Sequence, residues 1–353
     1  MTSDRLLSLV DRFPSCRVVV AGDLVADEFL SGQPSRVSRE APVLILSYED
    51  TRVVPGGGAN AANNVATLGG RVQLFGLTGR DEAGRRLLEC FPRSVNTRNV
   101  LRPAGYRTPT KTRVLAGGIH SAKQQIVRID REPGAPPPPE LAARIADALL
   151  EAAGAADAVL LSDYGYGLVT PALASAITAR LEAARRDARP PVLIDSRYNL
   201  GAYRGLAACT PNQPEVEQLF DRKIGDDGAA LEKAGRTLLR RLQMQAVLVT
   251  RGSRGMALFQ RSVPTVHIPI FGTDEVADVT GAGDTVMAVM SLALAAGASF
   301  HEAALLANYA GGIVVMKRGT ATVSPDELRE AIRSQWHRRP ACEWQPVAQA
   351  SRL

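Results

Sequence analysis

The chain has no long apolar run, few histidines and few cysteines, and each shortage removes a class of function. Its unbroken apolar stretches fall well short of the about 18 residues that a membrane-spanning helix needs. The opening segment MTSDRLLSLVDRF carries acids and no sustained apolar core, unlike a secretory leader. We therefore expect a cytoplasmic protein with no membrane partner. The four cysteines, Cys16, Cys90, Cys209 and Cys342, lie far apart with no Cys-x-x-Cys pair. That spacing indicates neither a zinc knuckle nor a disulfide framework, and leaves reduced, buried thiols. The four histidines, His120, His267, His301 and His337, show no ligand spacing either. There is no Gly-x-x-x-x-Gly-Lys-Ser/Thr sequence, so a bound nucleotide would need a different backbone cradle.

What is present is ordinary for a globular protein: 353 residues, 45% hydrophobic and 22% charged, enough for one large core or two modest domains. Lys plus Arg exceeds Asp plus Glu by 42 to 36. That excess suits nucleic acid or, equally, a phosphorylated substrate and ATP. The positive charges are scattered, with only short clusters such as Arg185-Arg186 and Arg338-Arg339, so we expect a solvated surface and no nucleic-acid partner.

Residues 17 to 22 (RVVVAG) read as a buried strand whose end presents Asp23 and Asp27. From Phe29 to Val53 polar and apolar residues alternate, which predicts two or more strands projecting as a small β lid, with a second lid segment over about 107–131. Between them, PGGGANAANNVATLGG reads as a glycine turn opening a small-residue helix. After the stiff connector Pro133 to Pro139, helix and strand alternate regularly. Strands near 158–162, 192–195 and 246–250 are separated by helices, and 256–260 with 264–270 form an antiparallel edge. Three helices near 283–297, 300–317 and 324–336 follow. The fold class is α/β, a mainly parallel central sheet covered by helices on both faces. We expect a domain over 1–336 and a poorly ordered tail over 337–353.

The run Asp278-Val-Thr-Gly-Ala-Gly-Asp284 places two glycines before an apolar helix. Small residues there let backbone amides approach an anion, and the helix dipole favours negative charge at the same end. Asp284 could then accept a proton from a hydroxyl attacking phosphorus, while the Gly281, Ala282 and Gly283 amides stabilise the transferring phosphoryl. Taken alone, the same tripeptide is also a common turn into a helix with an acid in its first turn.

That heptapeptide resembles the C-terminal signature of the ribokinase/PfkB family of carbohydrate kinases. The N-terminal signature is present as Gly56-Gly57-Gly58-Ala59-Asn60, with Gly22-Asp23, Asn212-Gln-Pro-Glu215 and Thr250-Arg-Gly-Ser-Arg-Gly255 in family order. Within the family the chain is similar to the kinase domains that phosphorylate the anomeric hydroxyl of heptose 7-phosphate in ADP-heptose synthesis. The similar segments include Ser35-Arg-Val-Ser-Arg-Glu-Ala-Pro42, Gln124-Gln-Ile-Val-Arg-Ile-Asp130, Leu161-Ser-Asp-Tyr164 and Gly319-Thr-Ala-Thr-Val-Ser-Pro325. It departs from that subgroup at Arg39-Glu40, where Pro-Glu is usual, at Tyr166, where Lys is usual, and at Ser196-Arg197, where Pro-Lys is usual. Some such kinases carry a fused nucleotidyltransferase; this sequence ends soon after its last predicted helix, so we expect that activity to be absent.

The resemblance implies a ribokinase-like fold that transfers the γ-phosphate of ATP to a hydroxyl of a sugar or sugar phosphate, with Mg2+. The alternatives are a kinase for another simple sugar or a nucleoside, or a catalytically silent ligand-binding relative. It implies that Asp27 and Asn60 meet sugar hydroxyls, with Gly57 and Gly58 allowing close backbone approach. Arg36, Arg39, Lys111 and Arg113 are candidate partners for a substrate phosphate. Asn212 and Glu215 would order Mg2+ and its waters. Thr250, Gly252 and Gly255 would cradle the nucleotide, and Asn308 would line the adenine pocket. Asp278 and Thr280 match positions that help form a monovalent-cation (K+) loop in many relatives. The relatives' lids often pair across a two-fold axis, so a homodimer through the lid is expected.

Overall fold

The computed structural model describes residues 2–118, 123–184, 189–272, 277–317 and 319–338. In chain order the elements are α1 (Ser3–Arg12), β1 (Arg17–Gly22), β2 (Leu24–Val37), β3 (Leu44–Gly57), α2 (Gly58–Thr67), β4 (Arg71–Leu77), α3 (Glu82–Glu89), β5 (Val95–Leu101), β6 (Thr110–Ala116) and β7 (Gln124–Arg131). There follow α4 (Pro139–Ala155), β8 (Ala158–Asp163), α5 (Pro171–Ala183), β9 (Val192–Ser196), β10 (Ala208–Cys209), α6 (Gln213–Phe220), α7 (Gly228–Leu242) and β11 (Ala246–Thr250). The last are β12 (Met256–Gln260), β13 (Val263–Ile268), α8 (Ala282–Ala295), α9 (Phe300–Val315) and α10 (Pro325–Arg338).

A nine-stranded sheet runs in the order β13-β12-β11-β10-β9-β8-β1-β4-β5. Its strands are parallel from β11 to β5, and β12 and β13 add the antiparallel edge that the sequence predicts. Parallel strands need cover on both faces, and the side chains divide accordingly. Val18, Val20, Leu193 and Leu248 join one core with α1, α2, α8, α9 and α10. Val19, Ala21, Ile194 and Val247 join another with α4, α5 and α7. Each such fully buried aliphatic side chain contributes about 1.5–3 kcal/mol relative to exposure.

The lid is a second, four-stranded sheet, β3-β2-β6-β7. β2 pairs antiparallel with β3 and parallel with β6, and β6 pairs antiparallel with β7. The lid strands extend beyond the expected 29–53: β2 starts two residues after β1 ends, so the bend at Asp23 carries the chain directly from one sheet into the other.

Several elements escaped the sequence reading, β10 and α6 among them. α1 buries Leu6, Leu9 and Val10 and is capped by the Thr2 side chain. α3 is capped by Asp81, and β5 forms the far edge of the large sheet. α3 and β5 are short and carry few apolar positions, whereas α1 shows the helical spacing of Leu6, Leu9, Val10 and Phe13 and was passed over for lack of a sustained apolar segment. α5 ends at Ala183 rather than near 187, with residues 185–188 outside the described part. α10 runs to Arg338, two residues into the expected tail, and 339–353, with Cys342, lie outside the described residues, as does His120. No helix among the described residues is long and apolar enough to cross a membrane.

Candidate functional site

The two glycine-rich signatures meet at the start of α8. Asp284, in its first turn, is 6% exposed. Asn60 of α2 donates from Nδ2 to Asp284 Oδ2 at 2.9 Å, and the Tyr164 hydroxyl donates to Asp284 Oδ1 at 3.0 Å. Burial pushes the Asp284 carboxyl up to about 6, against the pull of these two hydrogen bonds toward the charged form. Such a group is ionised near neutral pH yet basic enough to take a proton.

Gly281 caps α8 at φ 79°, and a Cβ there would lie 2.6 Å from Asn60 Nδ2, so both its backbone and its contact exclude other residues. The Gly281 and Gly283 amides meet no acceptor among the described residues, whereas the Ala282 amide donates to Val279 O at 3.3 Å. Behind Asn60 the network continues inward: Asn64 Nδ2 donates to Asn60 Oδ1 at 3.0 Å, and Thr285 Oγ1 donates to Asn64 Oδ1 at 3.1 Å. The Asn60 amide is therefore engaged with protein groups on both sides. It orients Asp284, a different contact from the sugar hydroxyl expected from the sequence.

Asp27 is 6% exposed, on the lid strand that leads out of the cleft. Burial raises its pKa most, and the Arg113 guanidinium opposes that. Arg113 donates from Nη1 to Asp27 Oδ1 at 2.8 Å and stacks 5.3 Å from the centre of the Phe29 ring. Thr320 Oγ1 approaches Asp27 Oδ2 at 3.4 Å. Arg113 is thus the counter-ion of Asp27, with its remaining N–H groups still able to meet an anion. Lys111 is different. It forms no ion pair among the described residues and lies 5.0 Å over the Tyr164 ring, with its pKa lowered by burial. Gly57, at φ 56°, would press a Cβ to 3.2 Å from the same Tyr164 ring and 2.9 Å from Asp23 O, and the Gly58 amide donates to Asp23 O at 3.0 Å. Arg36 and Arg39 are exposed at the far end of the lid. At about 3.3 Å per residue, Arg36 sits roughly 30 Å along the strand from Asp27, so neither is brought to this chain's own cleft.

A second group of predicted residues lies at the carboxyl ends of the strands on the other side of α8, the edge where open α/β sheets bind ligands. Asn212 and Glu215 form a reciprocal capping box on α6, and Arg197 donates from Nη1 to Glu215 Oε1 at 2.9 Å. Thr250, the last residue of β11, bridges to Asn212. Gly252 and Gly255 both have positive φ in the turn that follows. Asn308 of α9 is buried and donates to Pro269 O at 3.0 Å. Asp278 accepts from the Thr280 amide at 2.9 Å and from the Gly319 amide at 3.1 Å, tying the loop before α8 to the loop after α9.

Two residues of the cleft were not assigned from sequence. Tyr164 lies in a segment quoted only for its resemblance, and nothing local marks its hydroxyl as a partner of Asp284. Asp195, at the end of β9, has a carboxylate that takes no hydrogen bond or ion pair from any described residue. Burial, then Asp284 and Glu215, push it up to about 8. An isolated acid at a strand's carboxyl end was the only available signal.

Among the described residues no group of three or more acidic, His or Cys side chains could hold a metal ion. The fit to Mg2+ is nonetheless good, because this ion keeps several waters and takes one or two carboxylates plus substrate phosphates. The unpartnered Asp195 carboxylate close to Glu215 supplies such a donor pair.

The model of the pfkB family carbohydrate kinases matches residues 19–327. Two curated relatives are the bifunctional protein HldE of Pelobacter propionicus, 41% identical over 327 residues, and that of Halorhodospira halophila, 45% identical over 325. The matches cover 92% and 91% of this chain but 65% and 64% of those proteins, so the chain spans just under two thirds of their length. Among solved structures, phosphofructokinase-2 from Escherichia coli superposes with a TM-score of 0.71 at 19% identity, covering 90% of this chain and 98% of that one. Ribokinase from Arabidopsis thaliana, in complex with ribose and ATP, superposes at 0.67 and 20%, with 90% and 98% covered. At that identity these two show the fold, which is ribokinase-like. On the family match and the relatives above 40% identity, the chain belongs to the pfkB family of carbohydrate kinases, phosphotransferases whose acceptor is a sugar hydroxyl.

Proposed function

We propose that residues 1–336 form a kinase unit that moves the γ-phosphate of ATP to a hydroxyl of a sugar phosphate, with Asp284 as the general base. The observation that carries this reading is the Asp284 carboxylate beside the Gly281 and Gly283 amides, which meet no acceptor among the described residues. The carboxylate takes the hydroxyl proton as the oxygen attacks phosphorus, and the amides face the charge on the transferring group. Asp27, held by Arg113, accepts hydrogen bonds from the sugar, and Lys111 is the cation placed to meet an anionic acceptor. Thr250, Gly252 and Gly255 cradle the nucleotide, with Asn308 beside the adenine. Mg2+ neutralises the phosphates; Glu215 and Asp195 would hold it, largely through its waters. A K+ ion would lie at the Asp278–Thr280 loop.

The HldE relatives and the resemblance to heptose kinases support the anomeric hydroxyl of heptose 7-phosphate as acceptor. The lid exposes Val37, Val43, Tyr48, Val127 and Ile129, apolar surface that a lid-to-lid homodimer would cover. The protein works in the cytoplasm, where ATP and sugar phosphates meet.

The test is turnover with MgATP and a panel of heptose 7-phosphate, fructose, ribose and their phosphates. Asp284→Asn should lower kcat by about two to four orders of magnitude with the fold intact. Undiminished turnover in that variant would end the assignment of the base.

A further inference from the structure

We infer that Tyr164 is a positioning residue for the base: its hydroxyl fixes one oxygen of Asp284 in the ionised form, and Lys111 of the lid holds the Tyr164 ring in place. The inference rests on the reading of Asp284 as the base and goes beyond it. The geometry has three parts. The Tyr164 hydroxyl donates to Asp284 Oδ1 at 3.0 Å while Asn60 holds Oδ2 at 2.9 Å, so the plane of the carboxylate is fixed at both ends. The Tyr164 ring lies against Gly57, whose missing side chain leaves the space it occupies. The Lys111 ammonium sits 5.0 Å over that ring with no carboxylate paired to it, so its contact with the ring face is a cation–π one.

Tyr164 is fit for this role only as a donor, and burial together with Asp284 keeps its phenol protonated well past neutral pH. With one donor on each oxygen, one lone pair on Oδ1 and one on Oδ2 remain for the acceptor hydroxyl. Through Lys111 the arrangement also links the lid to the base, because displacement of β6 would release the ring.

The charged and titratable groups that face Asp284 are Tyr164 from the loop after β8, Asp27 from β2, Lys111 from β6 and Asp195 from β9; Asn60 of α2 is neutral. Asp27 raises its pKa, and Tyr164, Asn60 and Lys111 lower it. Removing the Tyr164 hydroxyl alone must therefore raise the pKa of the base. The activity lost on acidification would then be lost at a higher pH.

The experiment compares the pH dependence of kcat and kcat/KM in wild type, Tyr164→Phe, Lys111→Met and, as a control, Tyr203→Phe, whose hydroxyl donates to Asp163 rather than to Asp284. Tyr164→Phe keeps the ring and the stack. It should lower kcat roughly ten- to a hundredfold, the weight of one hydrogen bond to an ionised group, and move the acid limb upward by at least about half a unit. The KM values for both substrates should change little, and Tyr203→Phe should leave the limb in place. An unmoved acid limb in folded Tyr164→Phe overturns the inference. Lys111→Met also removes a charge that itself lowers the Asp284 pKa, so its shift is read against the same change in Tyr164→Phe: a smaller shift there supports the link through Tyr164, and an equal one overturns it. Should Tyr164→Phe not fold, 3-fluorotyrosine at position 164 decides, because its more acidic phenol donates more strongly: a downward shift of the acid limb supports the inference and an unmoved limb overturns it. Asp284→Asn separates the two levels. Turnover that survives it sinks the base itself, whereas an inactive Asp284→Asn with an unmoved limb in Tyr164→Phe sinks only the positioning role.

Discussion

Asn60 and Asp284 stand 224 residues apart in the chain and 2.9 Å apart in space, joined by a hydrogen bond from the amide of one to the carboxylate of the other. The bond packs α2 onto α8, and its inward extension through Asn64 and Thr285 leaves each polar side chain of that interface with a partner. This is how a seam between two helices of small residues comes to hold a buried acid in one orientation.

Asn60→Ala removes a donor that lowers the Asp284 pKa. Wild-type activity should fall as pH drops through about 6, where the base takes up its proton. In the variant the fall should begin at higher pH. The loss of a buried hydrogen bond, with Asn64 left short of a partner, should cost about 1–3 kcal/mol of stability. Chemical denaturation and a pH–rate profile read the two effects separately.

Gly281→Ala should leave the fold in place and damage the site. A methyl at φ 79° would stand 2.6 Å from Asn60 Nδ2 and 3.0 Å from the Thr320 methyl, so the cap must shift and take the Gly281 and Gly283 amides with it. The backbone strain alone is about 1–3 kcal/mol. We expect kcat to fall at least tenfold with KM for ATP nearly unchanged, measured by steady-state kinetics.

Arg113→Met should behave as the loss of one partner of a buried ion pair. It leaves Asp27 desolvated, and breaking such pairs costs about 3–5 kcal/mol. Its carboxyl, already raised by burial, should rise further without Arg113. Thermal melting should show the destabilisation, and the KM for the sugar should increase. Arg36→Ala, far out on the lid, should change neither kinetic constant of an isolated subunit.

Asp195→Asn should stabilise the protein at the expense of its chemistry. The Asp195 carboxyl is raised to about 8 from an ordinary value near 3.8. Its folded form is favoured while protonated, and that advantage is lost as pH rises through 8. Wild type thus carries a penalty that grows between about 4 and 8. The amide carries no charge to bury, so Asp195→Asn should melt higher than wild type at pH 8 and match it near pH 4. The gain should exceed ~1 kcal/mol but stay well below the full shift, because the neighbouring Asp284, itself raised, shares the titration. Calorimetric titration should show weaker Mn2+ binding in the same variant.

The sequence by itself determined the α/β architecture, the projecting lid, and the glycine turn that opens α8. Each of these is written locally: the alternation of strand and helix, the period-two lid strands, and glycines opening an apolar helix. Pattern marks what an element is and which way it runs, so β8, β9, β11 and α8 lie close to where their residues predict them. Short elements such as α3 and β5 carry too few apolar positions to be seen this way.

Only the tertiary structure decided the partners. Arg113 reaches Asp27 across 86 residues and Tyr164 reaches Asp284 across 120, and no spacing encodes such distances. It took the parallel pairing of β2 with β6 to turn Arg113 from a free cation into a counter-ion. Burial beside other acids set the carboxyls of Asp284 and Asp195 apart from ordinary ones. A side chain's charge and its remaining hydrogen-bonding capacity depend on what surrounds it, and the surroundings come from distant segments brought together by folding.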